Sequence, residues 1–335
     1  MKVLFDVEHP FSWAHGGTQM LVNKLMQFLP DFGIKVEPLK WWLEKQDGDI
    51  VQIFYLGTPT IDFAKKKGLK VVTYVFLDNY SSLSNYKIFT RRILISSFKS
   101  LFPAKAAELG WFFPAFSDAN IYPSHNDLRL GEYLFSSPKE VSHVILHGVD
   151  DRYLLSENLN DGAADYLVCV ASIHEHKNSV LLAKIARQLR IPILFIGKPY
   201  SNDPYFRSFL QFVDNKYVRY LGFLSEDEKI RYLKKARGFV LLSRAESGCI
   251  AALEALGMRM PVLLPKFKWA TSLYKGYASF CDLGDEKTLA GQLMHFYQNP
   301  PVLNKFPVLP WKQVAFEYAQ VYKSVIESKG SEVSA

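Results

Sequence analysis

Apolar and polar residues follow one another along the chain in a pattern typical of an α/β protein. Short continuous apolar runs, which predict buried parallel strands, are separated by longer stretches with apolar residues at helical spacing. In the first half the predicted strands are KVLFDV (2–7), DIVQIFYLG (49–57), LKVVTYVFL (69–77) and NIYPS (120–124). MLVNKLMQFLP (20–30) carries Leu21, Leu25 and Phe28 on one face and predicts a helix.

A second series of the same kind begins at residue 165. Its predicted strands are DYLVCVASI (165–173), IPILFIG (191–197), YVRYLGFL (217–224), GFVLLS (238–243) and MPVLLP (260–265). NSVLLAKIARQLR (178–190) predicts a helix, and Ser225 with Glu228 forms the capping pattern that starts another. This alternation of strands and helices favours an open parallel sheet in each half.

The two series predict two Rossmann-like, doubly wound α/β domains that face a central cleft. A chain of 335 residues suits two domains of about 150 residues each. We expect an N-terminal domain over residues 1–158, a second domain over 159–310 and a flexible tail over 328–335. Ligands of open parallel sheets bind at the carboxyl ends of the strands, so Glu246, just after GFVLLS, is expected at a binding site.

Composition and charge narrow the class of partner. No stretch approaches the roughly 20 apolar residues that span a bilayer, and three widely spaced cysteines fit reduced thiols in the cytoplasm better than disulfides. The net charge is +7, and residues 1–155 hold 17 basic against 16 acidic residues, so the excess lies in the second half. The chain has no dense basic tract interleaved with aromatic residues, so the positive charge does not indicate a nucleic acid as the partner. A phosphate-bearing small molecule explains this charge at least as well.

The stretch AESGCIAALEALG (245–257) carries two glutamates, of which Glu254 lies in an apolar helical run. A buried charge without a partner is costly, so Glu254 either turns to water or meets a group that needs a carboxylate. A helix starting near Gly248 would present free amides of Cys249, Ile250 and Ala251 to an anion, and a carboxylate beyond them suits a ribose diol. The alternative is a solvent-facing Glu254 with Glu246 as a helix cap.

This stretch, between VLLS and LGMRMPVLLP, resembles the signature of glycosyltransferase family 4, retaining enzymes of the GT-B fold. HGGTQ (15–19), IYPSHND (121–127) and HGVDDRYL (147–154) are similar to further motifs of the family, in the same order. WKQVAFEYAQVY resembles the closing helix, which in the family packs back onto the first domain, here over about 311–327. The resemblance covers nearly the whole chain.

The resemblance implies a role for individual residues. Glu246 would contact the donor sugar, Glu254 the ribose hydroxyls, and the amides near Gly248, Cys249 and Ile250 the diphosphate. Lys177 would neutralise that diphosphate, because negative charge develops on the nucleoside diphosphate as it departs. Gly16 and Gly17 would approach the phosphates from the first domain. His15 beside them is either a catalytic residue of the same cleft or a simple loop residue.

Three positions depart from the family pattern. The family usually pairs its lysine with an arginine five residues earlier in the donor site. Here that position is Ser172, so His174 or His176 would have to supply part of the missing positive charge. A histidine usual in the region of TYVFLDNY is absent, with Asp78 and Asn79 in its place. Cys249 stands where the family usually has a second glycine. HEHK (174–177) lacks the partner spacing of a metal site, so no metal or other cofactor is expected.

The function implied is transfer of a sugar from a nucleoside diphosphate-sugar to a saccharide or lipid-linked acceptor, with retention, in surface polysaccharide or glycolipid synthesis. The alternatives are a GT-B nucleotide-sugar epimerase and a sugar-nucleotide-binding partner protein without activity. Peripheral contact with an anionic membrane is a further possibility. In residues 87–102, Ile88, Ile95, Phe98 and Phe102 share a face near Arg91, Arg92 and Lys99, as in an interfacial helix. A half-buried helix of the first domain explains the same pattern.

Overall fold

A computed structural model describes residues 1–8, 16–55, 58–154, 165–199, 203–302 and 304–328. The chain divides into two compact units, Met1–Gly148 with Leu309–Ala335, and Val149–Val308. Each unit contains one parallel six-stranded sheet. The predicted fold class is confirmed, because both sheets are parallel and carry helices in the connections between their strands.

The first unit begins with a central strand and builds its sheet to both sides of it. Its strands are β1 (Lys2–Asp6), β2 (Lys35–Pro38), β3 (Ile50–Ile53), β4 (Lys70–Tyr74), β5 (Ala119–Tyr122) and β6 (Ser142–Val144). Its first helices are α1 (Gly17–Phe28), α2 (Thr58–Lys66), α3 (Asp78–Ser81), α4 (Asn85–Leu101), α5 (Pro103–Glu108), α6 (Phe113–Phe116) and α7 (His125–Phe135). The strand order is β2-β1-β3-β4-β5-β6. The inner strands β3 and β5 are buried along their whole length, as their continuous apolar runs predicted.

The second unit repeats this plan. Its strands are β7 (Leu167–Val170), β8 (Ile193–Ile196), β9 (Val218–Tyr220), β10 (Gly238–Val240), β11 (Val262–Pro265) and β12 (Ser279–Cys281). Its helices are α8 (Ser179–Leu189), α9 (Pro204–Leu210), α10 (Glu226–Lys235), α11 (Ile250–Gly257), α12 (Lys268–Tyr274) and α13 (Glu286–Gln298). The strand order is β12-β11-β10-β7-β8-β9. The predicted capping box at the start of α10 is present, with Ser225 and Glu228 each bonded to the backbone of the other.

The last helix, α14 (Trp311–Glu327), belongs to the first unit. It buries Tyr322, whose hydroxyl donates to Oε1 of Gln52 in β3 at 3.0 Å. Lys312 pairs with Asp31 at 2.8 Å, and the ring of Phe316 lies 5.5 Å from that of Phe32. A buried polar contact and an apolar face thus attach the end of the chain to its beginning.

The connection between the units differs from the expected boundary at 158/159. Val149–Leu154 pack with the second unit, because the hydroxyl of Tyr153 donates to Glu226 at 2.7 Å and Arg152 pairs with Asp227 at 2.6 Å. Residues 155–164, which include the expected boundary, and the tail after Ser328 lie outside the described residues.

Candidate functional site

The candidate site of the second unit lies where its strand order reverses. From β7 the chain adds β8 and β9 on one side, and then returns to place β10, β11 and β12 on the other. The connections that leave the neighbouring strands β7 and β10 therefore diverge, and the carboxyl ends of these two strands border a crevice. Ser172 and Lys177 follow β7, and Glu246 follows β10, as the sequence predicted.

Lys177 and Glu246 form an ion pair across this crevice. Lys177 Nζ lies 2.5 Å from Glu246 Oε1, and the two side chains are only 16% and 12% exposed. Asn178, in the left-handed conformation, donates from Nδ2 to the carbonyl of Leu242 at 2.8 Å and so ties the two loops together. A cation and a carboxylate are thus held at the strand ends, in a place where water screens them little.

The two histidines of this loop lie together, and His176 does not replace the missing arginine. Their Nδ1 atoms are 2.6 Å apart, and the backbone N–H of Arg244 donates to the carbonyl of His176 at 2.7 Å. Burial, reinforced by the charge of Lys177, lowers the pKa of His176 to about 4. His176 is therefore neutral at pH 7 and adds no positive charge near Ser172.

Gly248 gives the chain the turn that leads from Glu246 into α11. Its φ of 73° is in the left-handed region that favours glycine. The helix begins at Ile250, two residues later than predicted, and among the described residues no side chain caps it. The interpretation of Glu246 as a helix cap is therefore wrong. The first-turn amides that follow Cys249 have no partner within the helix and can receive an anion.

Cys249 is buried beside the ion pair. Burial raises the pKa of its thiol, Glu246 raises it further, and Lys177 opposes them. The hydroxyl of the fully buried Tyr274 donates to the carbonyl of Cys249 at 3.3 Å. A neutral, buried thiol is inert, so Cys249 fills space at the helix start instead of reacting.

Glu254 is buried, and its partner in this structure is Lys229 of α10. Only 3% of the residue is exposed, so the interpretation of a solvent-facing Glu254 is wrong. Lys229 Nζ lies 3.1 and 3.0 Å from the two carboxylate oxygens. Burial raises the pKa of Glu254 to about 7, although the charge of Lys229 opposes this.

Lys229 is shared between two carboxylates. Its Nζ also lies 2.9 Å from Glu226, which accepts the hydrogen bond from Tyr153. Burial alone would lower the pKa of Lys229, but the charges of Glu254 and Glu226 outweigh it and the pKa is raised. Lys229 was not predicted as a site residue from the sequence. Its signal is a lysine four residues before the buried Leu233, hence on the apolar stripe of the helix.

In the first unit, Gly16 and Gly17 lie at the equivalent position, after β1 and at the start of α1. The order of strands reverses here too, between β1 and β3. Gly16 has an extended backbone, and a Cβ placed on it would meet no described atom within 4 Å. Local strain and packing therefore do not require glycine at this position. His15 lies outside the described residues.

Asp6, at the carboxyl end of β1, is a second buried acid that sequence analysis missed. The hydroxyl of Tyr55 donates to Asp6 Oδ2 at 2.7 Å and lies 2.9 Å from Thr60 Oγ1. Burial raises the pKa of Asp6, while these hydrogen bonds oppose the shift. The signal available was an aspartate at the end of an apolar strand, in KVLFDV.

The described part of the chain contains no group of three or more His, Cys, Asp or Glu side chains placed to hold a metal ion. Reaction without a metal stays a prediction from the family resemblance.

The architecture of this chain is similar to that of solved structures with the GT-B fold. Residues 154–306 match the model of the family described as glycosyl transferases group 1. No match was found among curated protein sequences. Both units have the architecture of solved GT-B glycosyltransferases.

Several solved structures match nearly the whole chain at low sequence identity. Sucrose-phosphate synthase from Thermosynechococcus elongatus is 13% identical, with a TM-score of 0.71 over 98% of this chain and 99% of that one. HepE from Anabaena, in complex with UDP and glucose, is 13% identical, with a TM-score of 0.64 over 100% and 99%. The lipopolysaccharide outer core galactosyltransferase WaaB, in the apo form, is 14% identical, with a TM-score of 0.59 over 98% and 100%. At such identities the likeness establishes the fold.

Proposed function

We propose that the protein is a retaining glycosyltransferase that moves a sugar from a nucleoside diphosphate-sugar to a saccharide or lipid-linked acceptor. The observation that carries the proposal is the Lys177–Glu246 pair at the strand-order reversal, inside the segment that matches the glycosyl transferases group 1. The neighbour HepE, whose structures contain UDP and glucose or UDP-glucose, supports a nucleotide sugar as donor. We assign the reaction to surface polysaccharide or glycolipid synthesis in the cytoplasm.

In this proposal the pair opens when the donor binds. The diphosphate takes Lys177 as its counter-ion and lies on the amides at the start of α11, near Gly248, Cys249 and Ile250. Glu246, released from the lysine, accepts hydrogen bonds from the sugar hydroxyls. Lys177 then stabilises the negative charge that grows on the leaving diphosphate, which is where fixed charges accelerate a reaction most.

The nucleoside end extends towards Glu254. A carboxylate accepts two hydrogen bonds from vicinal hydroxyls, and Lys229 favours its ionised form by opposing the effect of burial. Ser172 faces the donor without the charge of an arginine. Lys177 therefore supplies the main positive charge on the diphosphate.

A transfer assay with purified protein and a panel of UDP-, GDP- and ADP-sugars tests this. For the accepted donor, we expect Lys177→Met and Glu246→Gln each to lower kcat by about 100-fold or more, as for other lost transition-state contacts. The matched control is the exposed pair Lys184–Glu286 of the same unit, 2.7 Å apart, where Glu286→Gln leaves kcat unchanged. Unchanged turnover in both site variants contradicts the assignment.

The products distinguish the alternatives. A free, epimerised sugar nucleotide formed without acceptor identifies an epimerase. Binding of nucleotide sugars with neither transfer nor donor hydrolysis identifies a binding partner protein. Anomeric analysis of the glycoside by NMR decides between retention and inversion.

A further inference from the structure

Helix α4 of the first unit presents an apolar face to solvent. Tyr86 and Leu101 are 75% and 71% exposed, and Phe89, Ile93 and Leu94 are each about half exposed. At 3.6 residues per turn these five side chains share one side of the helix. Soluble monomeric proteins seldom leave so many large apolar side chains exposed in one place, so this side is a candidate interaction surface.

The opposite side of α4 is the one that packs on the protein. Ile88 and Ile95 are buried in the core of the first unit, with Val75, Leu130 and Phe135 among their cluster. The half-buried helix inferred as an alternative from the sequence is therefore confirmed for Ile88 and Ile95. The exposed apolar face consists of different residues, which the packed side does not explain.

The charged side chains of this segment are mostly positive. Residues 85–109 contain the five cations Lys87, Arg91, Arg92, Lys99 and Lys105 and a single acid, Glu108, which pairs with Lys105. Arg92 lies over the ring of Tyr133, 4.4 Å from its centroid, and Lys99 lies over that of Phe112 at 4.8 Å. Lys87 and Arg91 are exposed and make no ion pair with any described carboxylate.

We propose that this face of α4 docks on an anionic lipid bilayer. The apolar side chains enter the boundary of the acyl chains, and the flanking cations contact anionic headgroups, as in helices that lie in the plane of a membrane. A second copy of the chain fits the face less well, because a two-fold contact would bring the same cations against each other. The proposal does not depend on the proposed sugar transfer.

Vesicle sedimentation with the full chain tests the proposal. We expect binding to vesicles that contain phosphatidylglycerol, weak binding to pure phosphatidylcholine, and loss of binding at high salt. Lys87→Gln with Arg91→Gln should lower the partition coefficient roughly 25-fold, since each cation near a charged bilayer contributes about fivefold. The double variant Lys234→Gln, Lys235→Gln, which removes two exposed cations at the end of α10, is the matched control and should bind like the wild type.

A second pair of variants tests the apolar contact. Ile93→Ser with Leu94→Ser should lower binding roughly tenfold or more through the lost apolar burial, while Leu210→Ser, at an exposed position in α9, leaves it unchanged. The melting temperatures should stay at the wild-type value, which excludes unfolding as the cause. If neither Lys87→Gln with Arg91→Gln nor Ile93→Ser with Leu94→Ser lowers the binding, the proposal is wrong. A wild-type dimer in light scattering that Ile93→Ser with Leu94→Ser converts to a monomer also overturns it.

Discussion

At the scale of single residues, the arrangement of Glu254 and Lys229 shows how a carboxylate is kept inside an apolar helix. The two side chains are 4% and 9% exposed, so each ion would lose most of its hydration without the other. Glu226 pairs with the ammonium group from the other side and accepts a hydrogen bond from the hydroxyl of Tyr153. The carboxylate is therefore compensated inside the helix when no ligand is bound.

We expect Lys229→Met to destabilise the protein in a pH-dependent way. Burial already raises the pKa of Glu254 from 4.5 to about 7, and loss of the lysine raises it further. A group with a raised folded pKa stabilises the fold below its unfolded pKa and loses this effect as the pH rises through the folded value. Urea unfolding should show a loss of about 3–5 kcal/mol near pH 8 and a smaller loss near pH 5.5.

The control for Lys229→Met is Lys184→Met, which breaks the exposed pair with Glu286. It should cost less than about 1 kcal/mol at either pH. An equal loss for Lys229→Met at both pH values would show that the lysine contributes packing instead of charge compensation.

His176 makes a contribution of the opposite sign. Its pKa falls from 6.5 to about 4 in the folded protein, so between these values the unfolded chain takes up a proton that the folded chain does not. The free energy of unfolding should therefore fall as the pH falls through this range, and His176→Asn should flatten that part of the profile. His125→Asn, at an exposed position, is the control in the same urea titrations.

At the scale of elements, strands that are buried on both faces were predicted more reliably from the sequence than partly exposed ones. The inner strands β3, β4, β7, β8 and β11 were predicted from continuous apolar runs, because a strand covered on both faces leaves no polar alternation. The edge strand β9 was predicted within YVRYLGFL (217–224), but the edge strands β2 and β12 were missed. Their sequences, KVEP and SFC, are short and partly exposed, and only pairing with a neighbour makes them strands.

One buried hydrogen bond joins α14 to the first sheet, in addition to the apolar packing of the helix. Tyr322→Phe leaves Oε1 of the fully buried Gln52 without its donor, which should cost about 1–3 kcal/mol. Tyr318→Phe on the same helix is the matched control, because the buried Tyr318 hydroxyl has no hydrogen-bond partner among the described residues. Chemical unfolding should show a loss for the first variant and little change for the second. Equal losses would assign the effect to packing of the rings.

At the scale of the whole molecule, both units place their candidate residues at the same topological point. Gly16 and Gly17 follow β1, and Lys177 follows β7, each beside the point where the strand order of its sheet reverses. Part of the site was predictable, because buried strands can be recognised in the sequence and the loops that follow them are then known. The partner of Glu254 was not, since Lys229 lies 25 positions away on another helix.

Nucleoside diphosphates should stabilise the whole protein if the proposed donor site exists. A ligand that binds only the folded state at 100 times its Kd adds about 2.7 kcal/mol to the free energy of unfolding. We expect one of UDP, GDP or ADP to raise the melting temperature by several degrees, and Lys177→Met to remove most of that shift. Glu286→Gln should leave the shift unchanged. A melting temperature that no nucleotide changes contradicts the donor site, whatever the activity.

By itself the sequence determined the class of fold and the positions of the candidate loops, because strand burial and helix periodicity are local properties that residue order expresses directly. It also placed Glu246 after its strand and Glu254 in its helix. Only the tertiary structure decided which charges meet. The pairs Lys177–Glu246 and Lys229–Glu254, and the side of α4 that faces solvent, depend on contacts between elements far apart in the chain. Periodicity carries no information about the partner across such a contact.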